Sequence, residues 1–139
     1  MTDIYIDCEW NGYGGELISM ALVCENGKEW YEELDCIEPM PWVTKNVMPH
    51  LHKSPITKEE MQTALSTFLW HFNDVTIIAD WPEDIERFCN LLITGPGTRI
   101  STPKLTMKIV RIDTVSKTPH YALEDARGLA KALMPKEAL

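Results

Sequence analysis

The sequence predicts an α/β fold: a mixed central sheet, antiparallel where the chain begins and parallel where it ends, flanked by helices. Three observations carry this. The opening third alternates apolar and polar residues with a strand's period and is broken by a glycine-rich turn. From residue 57 onward, apolar residues recur at helical spacing. Between those helical stretches lie apolar runs too short to be helices, the pattern of strand–helix–strand crossovers. At 139 residues the chain fits a single domain, 1–139, able to bury about two thirds of its unfolded surface.

Residues 3–9 read as a first strand and GELISMALVC (15–24) as a second, with NGYGG supplying the positive φ of a tight turn. GKEWYEEL continues as a third strand, so the chain opens as an antiparallel meander. Pro39, Pro41, Pro49 and Pro55 then leave room only for a short helix around WVTKNV. ITKEEMQTALSTFLWHF begins with a capping box, Thr57 and Glu60. It places Met61, Ala64, Leu65, Phe68, Leu69 and Phe72 on one helical stripe. VTIIAD (75–80) is a short strand apolar on both faces. Pro82 suits a helix's first turn, and Ile85, Phe88, Leu91 and Leu92 form that helix's apolar stripe. TGPGTR reads as a loop and KLTMKIVRID as a further strand. PHYALEDARGLAKALM is a last helix with Ala122, Leu123, Ala126, Leu129, Ala130 and Leu133 turned inward.

The net charge of −8 argues against a protein that grips long nucleic acid by phosphate contacts alone, while leaving room for one that takes a short strand end. No run approaches the roughly 18 apolar residues of a membrane span, and MTDIYID carries no apolar leader, so a cytoplasmic protein with no membrane partner is expected. Cys8, Cys24, Cys36 and Cys89 show neither a C-x-x-C pair nor histidines at zinc spacing and are expected to be reduced core thiols. His50, His52 and His71 read as surface or packing residues, and the acidic run EWYEELDCIE as solvent-facing. Arg99, Lys104, Lys108 and Arg111 are the main basic concentration, either a solvated face or phosphate contacts.

The first strand poses the chemical question. Side chains alternate along a strand, so Asp7 and Glu9 share one face while Ile4, Ile6 and Cys8 take the other. Two carboxylates held that close repel, and burial makes the repulsion costly unless a proton or a cation joins them. Hard divalent ions such as Mg²⁺ or Mn²⁺ suit oxygen ligands; the alternative is that one acid simply faces water at the sheet edge. Further acids stand at comparable strand ends: Asp80 and Asp84 after the buried strand, and Asp125, with His120, at the last helix.

DIYIDCEWNG with its D-x-E, IIADWPEDIERF with an acid opening a helix, and HYALEDA with its histidine and aspartate resemble, in order, the three motifs of the DEDDh 3′–5′ exonuclease superfamily. GGELISMALV and PWVTKNVMPHL further resemble the compact RNase T-like exoribonucleases of phages and some bacteria. The resemblance covers almost the whole chain. It implies a ribonuclease H-like fold and removal of nucleoside monophosphates from single-stranded 3′ ends, RNA favoured over DNA. It implies Asp7, Glu9, Asp84 and Asp125 as ligands of two divalent cations, Mg²⁺ or Mn²⁺, with Asp80 the alternative second-motif acid. Two such ions about 3.5–4 Å apart serve both oxygens of an in-line displacement. His120 matches the general base, a task suited to a group titrating near neutrality, and the preceding Pro119 suggests a loop that closes on substrate. Trp10 stands where most relatives carry threonine, either stacked on a terminal base or packed in the core. Relatives are often homodimers, and Trp30, Tyr31 and Trp42 are candidates for an interface, with burial in the core the alternative. The competing readings are a catalytically silent binding module, which should have lost motif acids, and an RNase H-like endonuclease, which would cut internally.

Overall fold

A computed structural model of the chain describes residues 1–111 and 120–133. The opening meander forms as its alternation predicts: β1 (Thr2–Trp10), β2 (Leu17–Cys24) and β3 (Glu29–Glu33) pair antiparallel in sequence order. The turn between β1 and β2 depends on its glycines, since a Cβ on Gly15 would lie 1.9 Å from the carbonyl oxygen of Asn11. The proline-rich connection holds one short helix, α1 (Pro41–Asn46), with proline at its start, and a 3₁₀ turn (Met48–His50). Helix α2 (Lys58–Leu69) begins with the expected capping box, Thr57 and Glu60 each bonding the other's backbone N–H, a device worth about 1 kcal/mol.

The chain then crosses to the far side of β1. Strand β4 (Asp74–Ala79) lies parallel to β1, helix α3 (Pro82–Leu92) follows, and β7 (Lys104–Ile109) adds parallel to β4. The sheet order is β3-β2-β1-β4-β7, mixed as expected. The final helix, α4 (Ala122–Leu133), packs on β1 and β2. TGPGTR is not a plain loop: β5 (Ile93–Gly95) and β6 (Thr98–Arg99) pair as a small hairpin. Gly97, at φ 69°, closes its turn. The ends of the predicted last strand and last helix, with Pro119, lie outside the described residues.

Helices cover both faces of the sheet, and the period-2 alternation sorts residues between them. Ile4, Ile6 and Cys8 join Met20, Leu22 and Cys24 against Leu65, Phe68, Phe88 and Leu91 of α2 and α3. Tyr5, Ala21, Val23 and Ile78 meet α4 through Ala122, Ala126 and Ala130, small residues one turn apart that let the helix lie close to the strands.

The two-sided cover selects the core alternative for two residues of the third strand and overturns the solvent-facing reading of a third, Glu33. Trp30 and Tyr31, candidates for an exposed interface, are buried: Trp30 sits 6.4 Å from Phe68 and Tyr31 5.6 Å from Tyr121, ring centre to ring centre. Trp42 alone of the set is exposed. Glu33, in the run expected to face solvent, is buried; its carboxylate accepts hydrogen bonds from the Tyr31 hydroxyl and from the backbone N–H groups of His52 and Lys53. A buried carboxylate with such donors is satisfied, and here it fixes the proline-rich connection to the sheet. All four cysteines are free thiols. Among the described residues no helix is long and apolar enough to cross a membrane.

Candidate metal centre

Because β1 and β4 are parallel neighbours, their C-terminal ends open on the same side of the sheet. The chain leaves β1 toward β2 and leaves β4 through α3, so β1 is a switch point, where ligand crevices form in open α/β sheets. Asp7 and Glu9 lie on this outgoing half of β1, on the alternation face that Tyr5 presents to α4. A register irregularity between Glu9 and Trp10 ends the ladder just beyond them.

The pairing of β1 with β4 stops at Tyr5 and Ile78, which leaves the Cys8 N–H past the end of the ladder. Asp84 takes it: Oδ1 accepts that N–H at 3.0 Å. Asp84 is 1% exposed and sits in the first turn of α3, behind Pro82, where the helix N-terminus favours a negative charge. Asp80 caps the exit of β4, and Asp125 lies in the first turn of α4. His120 stands two residues before the start of that helix with φ 69°, unusual for a residue with a side chain; its backbone N–H donates to Asp125 Oδ2 at 3.0 Å, and its ring meets Trp42 edge-on at 4.8 Å.

All the predicted site residues therefore meet. Asp7, Glu9, Asp84, Asp125 and His120, together with Asp80, line one cavity of about 390 Å³. Ligand oxygens of Asp7, Asp80 and Asp84 lie within 4.8 Å of one another, and so do those of Asp7, Glu9 and Asp125. Asp7 belongs to both groups. Asp80 and Asp84, the alternatives for the second-motif acid, both lie in the group that includes Asp7.

The chain matches no protein-family model and no curated protein.

The cavity concentrates negative charge with little to offset it. Among the described residues, Asp7, Glu9, Asp80 and Asp84 have no lysine or arginine partner. Burial, then the charges of Asp84, Asp125 and Glu9, pushes the Asp7 carboxyl well above the ordinary carboxylate range. Burial followed by Asp125 and Asp84 raises Glu9 to about 8. Burial also lifts Asp84 to about 8, against the lowering effect of its bond from Cys8, with Asp80 and Asp125 adding to the rise. Asp7 Oδ2 is buried with no hydrogen-bond partner. An orphaned oxygen on the carboxylate that the two groups of acids have in common matches what a pair of hard divalent ions requires. Mg²⁺ and Mn²⁺ fit this all-oxygen donor set.

Aromatic rings frame the opening. Trp10 lines the cavity wall, and Trp42 and Trp81 at its mouth are 54% and 57% exposed. Trp10 is half-buried and packs against the core of α2 and α3, and it also borders the acids. Trp42 and Trp81 were not singled out for this site from sequence, and Trp42 has no signal there, since it reaches the cavity only because Asn11 holds the 38–40 backbone against the end of β1. Arg99, Lys104, Lys108 and Arg111 are exposed and do not line the acidic cavity.

Proposed function

We propose that the protein is a metal-dependent 3′–5′ exonuclease of the DEDDh superfamily with a ribonuclease H-like fold, releasing nucleoside monophosphates from single-stranded 3′ ends, RNA ahead of DNA. The observation that carries this reading is the convergence of acids from the start, middle and end of the chain on Asp7, with His120 beside them. The mixed sheet, its antiparallel meander continued by parallel strands from β1, supports the fold assignment. Free thiols at Cys8, Cys24, Cys36 and Cys89 suit a reducing cytoplasm.

Asp7, Glu9, Asp80, Asp84 and Asp125 would hold the ions. Once bound, paired divalent cations supply positive charge to the phosphate oxygens and ease ionisation of the attacking water. The residues do the rest. Asp84, anchored to the Cys8 N–H, and Asp125, which bonds the His120 N–H, set the acids' positions before substrate arrives. His120 accepts the proton of the attacking water as the new bond to phosphorus forms and the bond to the neighbouring 3′ oxygen breaks. Trp42 and Trp81 offer flat faces to bases entering the cavity, which suits unpaired strands because every base has a stacking face.

The test is incubation of a 5′-labelled short RNA and its DNA counterpart with Mg²⁺ or Mn²⁺. Shortening in single-nucleotide steps from the 3′ end is expected. Internal cuts that ignore a blocked 3′ end would replace this reading with an endonuclease, and folded protein inert on both strands would leave a silent binding module. His120→Asn keeps a residue that tolerates the left-handed backbone while removing the imidazole. It should slow release by about 10²–10⁴-fold with Mn²⁺ affinity by calorimetry unchanged, the signature of a lost proton acceptor.

A further inference from the structure

A second cavity, of about 420 Å³, adjoins the acidic one. Trp10 lines the first and Arg87 the second, and the Arg87 guanidinium lies 5.5 Å from the centre of the Trp10 ring, so this stacked pair is the wall between them. Leu17, the register partner of Trp10, forms part of the second cavity with Leu34, Ile56 and Leu91.

Arg87 lacks the partners an arginine in an acidic protein normally finds. Its Nε is buried with no hydrogen bond, and among the described residues it has no carboxylate partner. A guanidinium over an indole face is attracted by the ring's negative face, which holds Arg87 at this wall. Nε is enclosed, whereas the outer N–H groups of the guanidinium fork have no hydrogen-bond partner among the described residues and are left for a ligand to bond. The cavity that Arg87 lines is apolar on the leucine and isoleucine side and carries two carboxylates, Glu16 and Asp35, and a second cation, Lys58, elsewhere on its lining. Glu16 is held ionised more firmly than usual, chiefly by a bond from its own backbone N–H.

These features select a ligand chemistry. A free phosphate would meet Arg87 and Lys58, but it would also meet two carboxylates, Glu16 and Asp35, that offset both cations, and an apolar floor that cannot solvate it. A flat ring with acceptors on one edge and N–H donors on another satisfies each wall. We propose that this cavity binds a nucleobase, guanine best, with Arg87 as the specificity-determining residue for the base next to the bond cleaved at the acids. Guanine offers adjacent acceptors, O6 and N7, to the guanidinium fork, whereas adenine presents an N6 donor beside its N7 acceptor. Guanine's N1–H and N2 amino group are donors for Glu16 or Asp35. The volume is that of a small-molecule site.

The inference rests on the nuclease reading for its role in cleavage, and the experiment separates the two. Guanosine, adenosine, cytidine and uridine, which lack phosphate, are titrated in chelator against the full chain by ligand-observed NMR, in parallel with release from RNAs ending in each base. Guanosine should bind about tenfold or more tightly than the others, and both Arg87→Met and Arg87→Lys should erase the difference, since a lysine keeps the charge but not the fork. Equal binding of the four nucleosides, binding of none, rescue by Arg87→Lys, or a guanine preference that survives Arg87→Met in a folded protein would overturn it. Guanosine selectivity without nucleotide release would sink the nuclease reading and leave the pocket standing; release indifferent to base would do the reverse.

Discussion

Asp7→Asn is expected to abolish nucleotide release while making the metal-free protein more stable, two effects of opposite sign from one atom pair. Asp7 is the acid common to both groups of potential ligands, so its loss removes a donor from both groups at once, whereas Glu9→Gln removes one from a single group. An amide is a poor ligand for hard divalent ions and presents N–H donors where oxygens are needed. Changes to outer-shell partners of metal ligands alone cost 10–100-fold, so removal of a shared ligand should cost ~10³-fold or more in rate. Stability moves the other way. Asp7 is surrounded by Asp84, Asp125, Glu9 and Asp80 and leaves Oδ2 unbonded, so its ionised form is a net cost to the folded state without metal. Replacing it with a neutral group of the same shape should raise stability at pH 8 in chelator by about 1–3 kcal/mol, read by denaturant melts. Lost activity with lost stability would instead mark Asp7 as a structural residue.

Asp7 and Glu9 also show what one-dimensional information reaches. Their shared face follows from strand alternation alone, as do the buried Ile4, Ile6 and Cys8 opposite them. The capping box at Thr57 and the proline that opens α3 are local signals, and both stand where expected. What escaped was decided by distant partners. Glu33 reads as one more acid in a polar run; the N–H groups that make its burial tolerable come from His52 and Lys53. Trp30 and Tyr31 could be placed inside only by knowing that helices from later in the chain cover both faces of β3. The hairpin at Ile93–Arg99 is built of strands of three and two residues, too short for any periodicity to declare itself. The pairing of Arg87 with Trp10 joins a strand end to a helix far along the chain, and nothing local to either announces it.

Metal-free protein is expected to lose stability as pH rises from about 5 to 9, with Mg²⁺ or Mn²⁺ restoring it. Glu9 and Asp84 titrate near 8 in the folded state and near 4 once unfolded, and Asp7 is displaced in the same direction. Between those values the folded chain holds protons that the unfolded chain has released. Stability then falls with rising pH, the reverse of a salt-bridged carboxylate, and the loss is complete once the pH passes the folded-state values. Because the acids share their protons and the cavity opens to water, the combined effect should be a few kcal/mol, or a fall of roughly 10 °C in Tm across the window. Divalent ions take the place of those protons, so their stabilising effect should be small at pH 5 and largest near pH 9. The ordinary repulsion of a chain carrying −8 also grows with pH, which makes the comparison with Asp7→Asn decisive. If the carboxylate cluster is the source, that variant flattens both the pH slope and the metal response in parallel melts; equal slopes in the two proteins would show that these acids are ionised and relaxed without any cation.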